Sequence, residues 1–184
     1  MLGTAHRGVT TAPVLALLAV SVVLAAGCGG NSDKKANEAY ANSVCSAIGS
    51  WEQQIKSLAS GFSGGISKAS LQSKVTQAET ATKDLATQIK AVPPPNTSDG
   101  QAAKKQVDQL STQVTSAVDS AKSAVASIPA NASATAIAVA LAPLASQVKG
   151  LASTAQDTVK SLQTAKGSLA SAFKSSSSCK NLGG

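Results

Sequence analysis

Beyond residue 36, apolar residues recur at alternating spacings of three and four along nearly the whole chain. This pattern admits helices and little else. The cleanest runs are Leu71, Val75, Ala78, Thr82, Leu85, Ile89, Val92 and Ala103, Val107, Leu110, Val114, Ala117, Ala121, Ala124, Ile128. A third runs Ile137, Leu141, Leu144, Val148, Leu151, Ala155, Thr158, Leu162, Ala165, Leu169, Ala172. A first, less regular run is Tyr40, Val44, Ala47, Trp51, Ile55, Leu58, Phe62. Such spacing holds one stripe on one face of a helix, whereas a strand would need alternation by two, which is nowhere sustained. The expected fold class is all-α.

Aromatic residues make up 2% of the chain, namely Tyr40, Trp51, Phe62 and Phe173. The core must therefore be built from small and medium aliphatic groups. Helices suit that task, because Ala, Leu, Lys and Gln are good helix formers and Ala lets helices approach closely.

Breakers fall between the runs. Gly61 with Ser63, Gly64 and Gly65 separates the first helix from the second, and Pro93-Pro94-Pro95 ends the second. Ser98 followed by Gln101 reads as a capping box for the third helix, and Ser133 as a cap for the fourth. The fourth pattern runs to about Ser175 with Pro143, Gly150 and Gly167 inside it. Pro143 is expected to kink this long last helix, or to split off a short helix from about Ser133 to Leu141; the kink is the favoured reading. Short connections then predict an antiparallel up-down four-helix bundle over residues 36–180.

The N-terminus reads in three parts. His6 and Arg7 give a short positive end, Val14 to Ala26 form an apolar run broken by Ser21, and Leu24-Ala25-Ala26-Gly27-Cys28 follows. The shape is that of a signal peptide, and the run falls short of the ~20 residues a spanning helix needs. The segment resembles the bacterial lipobox: an aliphatic residue, two small residues and then cysteine, here with Ala25 where Leu is commonest. Outside it, the composition is similar to that of the Ala/Ser-rich lipoproteins of high-GC Gram-positive bacteria. The lipobox resemblance implies removal of residues 1–27, a lipid on Cys28, and residence on the outer face of a cell membrane. Residues 28–35 would then be a flexible tether. The alternative is ordinary secretion, with Cys28 a plain thiol.

Three cysteines are an awkward number for an exported chain. If Cys28 carries lipid, Cys45 and Cys179 remain to form a disulfide in an oxidising compartment, or to stay as free thiols. With the last helix returning beside the first, a disulfide would tie the C-terminus to the membrane-proximal end.

The sequence excludes much chemistry. The single histidine, His6, lies in the segment expected to be removed. The mature part therefore lacks His-dependent acid–base and nucleophilic systems and the usual zinc sets. Arg7 is the sole arginine, so the positive charge of the mature part comes from lysine alone, without the arginine forks and stacking aromatics of nucleic-acid readers. Lys34 and Lys35 are the best-placed lysines for anionic headgroups. No catalytic residue, metal or cofactor is expected. Asp108 and Asp119 read as a solvated face. Trp51 reads as core, with a sugar or lipid pocket at Trp51 and Glu52 as the alternative. The leading expectation is a lipid-anchored envelope interaction or structural protein. The runner-up is a carrier of a small apolar or glycan ligand near Trp51, and a surface-active protein that opens onto membranes comes third.

Overall fold

The structure is a computed structural model that describes residues 31–60 and 67–182. Among these residues every regular element is a helix. The signal segment, Cys28 and the Gly61–Gly65 breaker lie outside the described residues.

Four long helices follow one another: α1 Asn31–Ser60, α2 Lys68–Ala91, α3 Ser98–Ser127 and α4 Ala134–Thr164. Two short ones complete the chain, α5 Ser168–Ser175 and α6 Ser177–Lys180. Ser67 and Ser70 form a capping box at the start of α2, with Ser70 N–H donating to Ser67 Oγ at 3.2 Å and Ser67 N–H to Ser70 Oγ at 3.1 Å. α2 stops at Ala91, before the prolines. The cap of α3 is Thr97, one residue earlier than the sequence suggests; its hydroxyl accepts from Gly100 N–H at 3.0 Å. A Cβ at Gly100 would run into the Pro95 carbonyl, so glycine is what lets the proline turn fold back on the first turn of α3. Ser133 caps α4 as expected, accepting from Ala136 N–H at 3.2 Å.

Pairwise contacts set the helix directions. Lys74 Nζ donates to Leu58 O at 3.2 Å and Trp51 Nε1 to Thr82 Oγ1 at 3.3 Å, so α1 and α2 run in opposite senses. Lys68 Nζ reaches the carbonyls of Ala126 and Ile128, while Lys122 pairs with Glu79 at 2.9 Å, which orders α2 and α3 likewise.

The last helix departs from the sequence reading in where it ends, while at Pro143 it lacks the split that was the alternative. α4 is continuous through Pro143, without a split. Proline deprives the Val139 carbonyl of its partner, and Val139 is 70% exposed, so water is at hand to replace it. The helix then ends at Thr164 rather than near Ser175. The break is at Gly167, whose φ of +100° is a region glycine enters without steric cost. There the chain reverses, and α5 and α6 run back beside α1.

The segment expected to be a flexible tether overlaps α1, since residues 31–35 are its exposed first turns.

The core has two parts. The larger joins α1, α2, α3, the second half of α4, α5 and α6 around Val44, Ile48, Leu85, Val107, Leu110 and Phe173. The smaller, at the other end, consists of Leu71, Val125, Ile128 and Ile137 from α2, α3 and α4, and its neighbourhood, with α1 contributing nothing to it.

Candidate functional site

The residues singled out by sequence lie on α1 and on what packs against it. Tyr40, Val44, Ala47 and Trp51 are spaced by four, three and four, so they share the inward stripe of the helix, and all four are buried. Cys45 and Cys179 are joined by a disulfide, with Cα atoms 4.9 Å apart. The bond closes on the middle of α1, about 21 Å along the helix from Asn31, and not at its start. The reason is the reversal at Gly167, which carries the chain back up α1 before Cys179 is reached.

A line of polar contacts fixes this arrangement. Asn37 Nδ2 donates to Ser168 Oγ at 2.9 Å. Ser176 Oγ donates to Asn42 Oδ1 at 2.6 Å, and it also caps α6 by accepting from Cys179 N–H at 3.3 Å. The near-constant offset between partners, 131 and 134 positions, shows that α5 and α6 run parallel to α1. Phe173, fully buried, meets Tyr40 edge-on, with centroids 6.2 Å apart and rings at 86°. Burial, and secondarily the Asp108 carboxylate, push the Tyr40 phenol up to about 12.

Trp51 is 2% exposed and its indole N–H is taken by Thr82. Glu52 is 5% exposed; its Oε2 lies 3.4 Å from Lys56 Nζ, while its Oε1 is buried without a hydrogen-bond partner. Neither residue lines the cleft of about 350 Å³ between α1 and α2, whose walls are Gln54, Ser57, Leu58, Thr76, Gln77 and Thr80. A broader depression on α3 surrounds Lys104 and Asp108, which pair at 2.5 Å. The structure does not bring Asp108 and Asp119 into one enclosed site. Lys122, beside Asp119, turns to Glu79, which also holds Lys83 at 2.8 Å. These two lysines bring the Glu79 carboxyl down to about 2. Lys34 and Lys35 are exposed on the first turn of α1, with Lys34 3.9 Å from Glu38. Cys28 lies outside the described residues.

Sequence reasoning missed Asn37, Asn42, Ser168 and Ser176. Asn37 and Ser176 are buried polar residues, and nothing in the apolar spacing marks them. Chemically, the assembled groups are a clasp: a covalent bond, two side-chain hydrogen bonds and an aromatic pair that hold the C-terminal segment against α1.

No protein-family model, no curated protein and no solved structure matches the chain.

Proposed function

We propose that the protein is an exported lipoprotein, held on the outer face of a cell membrane by a lipid on Cys28. Its helical body acts as an envelope interaction or structural module and performs no catalysis. The observation that carries this reading is the run Leu24-Ala25-Ala26-Gly27-Cys28 after an apolar stretch. The Cys45–Cys179 disulfide supports it, because it takes up the other two of the chain's three cysteines. We read α1 to α4 as an up-down-up-down antiparallel bundle, with α5 and α6 as a strap between α1 and α4. The strap end of α1 would stand nearest the anchor.

In the native host, a Cys28→Ser variant is the direct test. Wild-type protein should take up a labelled fatty acid and sediment with membranes, and the variant should do neither. Equal labelling of both would overturn the anchor.

A second reading, a carrier of a small apolar or glycan ligand near Trp51, has one observation in its favour: the buried, unpartnered Oε1 of Glu52, the next residue in the chain. A shift of tryptophan fluorescence on adding lipid or glycan would support it, and an unchanged spectrum would remove it.

A further inference from the structure

The strap of α5 and α6 is joined to the body differently from the long helices. It packs on α1 and on α4, and hardly at all on α2 or α3. It begins at Gly167, which turns the chain with a φ of +100° and caps α5 without a side-chain hydrogen bond. A glycine at such a junction can change its backbone angles at little steric cost. The smaller core, Leu71, Val125, Ile128 and Ile137, contains no strap residue. Lifting the strap would open one side of the larger core and leave the α2–α3 pairing and the far end of the bundle in place. Proteins open locally in contiguous units of this kind.

Both sulfurs of the disulfide lie under the strap. Cys45 is 0% and Cys179 1% exposed, and Cys179 Sγ stands 3.5 Å from the carbonyl of Ala41, itself fully buried. Thiol–disulfide exchange requires a foreign sulfur to reach one of the two bonded sulfurs, and the docked strap leaves no approach. The polar contacts that dock it are the longest in sequence among the described residues. Asn37 to Ser168 spans 131 positions and Asn42 to Ser176 spans 134. Contacts of that separation form late, because loop-closure entropy has to be overcome first. The seam is also imperfect: Asn37 Oδ1 is buried without a hydrogen-bond partner and regains water whenever the strap lifts.

We propose that the strap is a gate over its own disulfide. α5 and α6 swing about Gly167 as one unit while α1 to α4 stay folded, and the Cys45–Cys179 bond is made and broken only while the gate is open. The reaction that must supply the bond is exchange with a disulfide oxidant acting on the open form. The Cys179 thiolate, on the moving element, attacks the oxidant's S–S bond, forms a mixed disulfide and releases one oxidant thiolate. As the strap comes down, the Cys45 thiolate attacks Cys179 Sγ and expels the second. The two thiols of the chain are oxidised, and the oxidant is reduced to two thiols that carry away the two protons. Once closed, the strap shields the bond from reductants.

The test uses the full chain carrying Cys28→Ser, so that neither acylation nor a third thiol enters and failure of the anchor leaves the result untouched. Hydrogen exchange read by mass spectrometry compares the oxidised chain with the same chain reduced and refolded under dithiothreitol. Amides of residues 168–180 should exchange roughly tenfold or more faster in the reduced chain, and those of α2 and α3 should stay within about twofold. In parallel, dithiothreitol added to the oxidised chain should break the bond at least roughly a hundredfold more slowly in buffer than in denaturing urea. Equal loss of protection in all helices would overturn the gate, since opening would then be global. Unchanged protection over 168–180 would overturn it as well, because the strap would then stay shut without the bond. Reduction as fast in buffer as in urea would show the sulfurs to be open to solvent and would equally sink the proposal.

Discussion

Asn37 donates to Ser168 across 131 positions of sequence, and this bond sets the direction of the chain's end. Asn37 is 2% exposed, so its amide N–H must find an acceptor inside the protein, which Ser168 supplies, while its Oδ1 is buried without a hydrogen-bond partner. Ser168 is the first residue of α5, directly after the reversal at Gly167. Pairing the start of α5 with the start of α1 makes the two helices parallel and delivers Cys179 to Cys45.

The clasp should dominate stability. The disulfide spans 134 positions, and opening a loop of that length is expected to cost on the order of 4 kcal/mol in the chain-entropy model. Urea melts of the oxidised protein and of the Cys45→Ala, Cys179→Ala double variant measure the difference. Coincident midpoints would show that the strap is held by packing alone.

Thr82→Val removes the acceptor of a buried indole N–H while keeping the side chain's shape. The orphaned donor should cost about 1–3 kcal/mol. Combined with Trp51→Phe, the pair should cost less than the sum of the two single variants, because both polar partners are then gone. Denaturant unfolding of the two single variants and the double variant checks the coupling.

Gly167→Ala places a Cβ on a residue with φ of +100°. The strain, with the Asp99 carboxylate having to move off the added methyl, should destabilise the fold by about 1–3 kcal/mol, a shift readable in the urea midpoint. Refolding of the variant from the reduced state should also give less of the Cys45–Cys179 bond, because the reversal that brings the cysteines together is what has been strained.

Tyr40 gives a pH dependence of definite sign. Its folded pKa, pushed up by burial to about 12, lies above the ordinary tyrosine value of about 10. The unfolded chain therefore loses the phenolic proton first as pH rises. Stability contributed by the neutral phenol is complete below about pH 10 and drains away up to about pH 12. Tyr40 is the single tyrosine, so phenolate absorbance reports it directly and should rise together with the loss of helicity. In Tyr40→Phe this part of the alkaline transition should be missing.

The helices were legible because burial writes itself into spacing: Leu71, Thr82, Leu85 and Ile89 on α2 and Ala103, Val107, Leu110 and Val114 on α3 are buried as the three-and-four pattern requires. Further along α3 the buried residues are Val118 and Val125, whereas the expected Ala117, Ala121 and Ala124 are only half-buried. The third pattern misled because Ala165, Leu169 and Ala172 continue the same spacing across Gly167. Periodicity is blind to a reversal that keeps apolar residues facing the same core. The capacity for it lay in one glycine, and glycines also occur at Gly150, inside an unbroken helix. The apolar stripe of α4 likewise reads as core in sequence, and its first half is so: Ile137 is buried against Leu71 of α2 and Val125 of α3, with Leu141 and Leu144 packed beside them. Trp51 was legible as core, whereas the solitary Glu52 oxygen was not, since burial of a carboxylate depends on which neighbours close over it.

Intact mass spectrometry of the unreduced protein from its native membrane tests the anchor-and-clasp picture most directly. The expected chain begins at Cys28, carries the mass of a diacylglycerol there, and is two hydrogens lighter for the bond between Cys45 and Cys179. A chain that keeps a free thiol at position 28, or that shows Cys45 and Cys179 reduced while still folded, would contradict it.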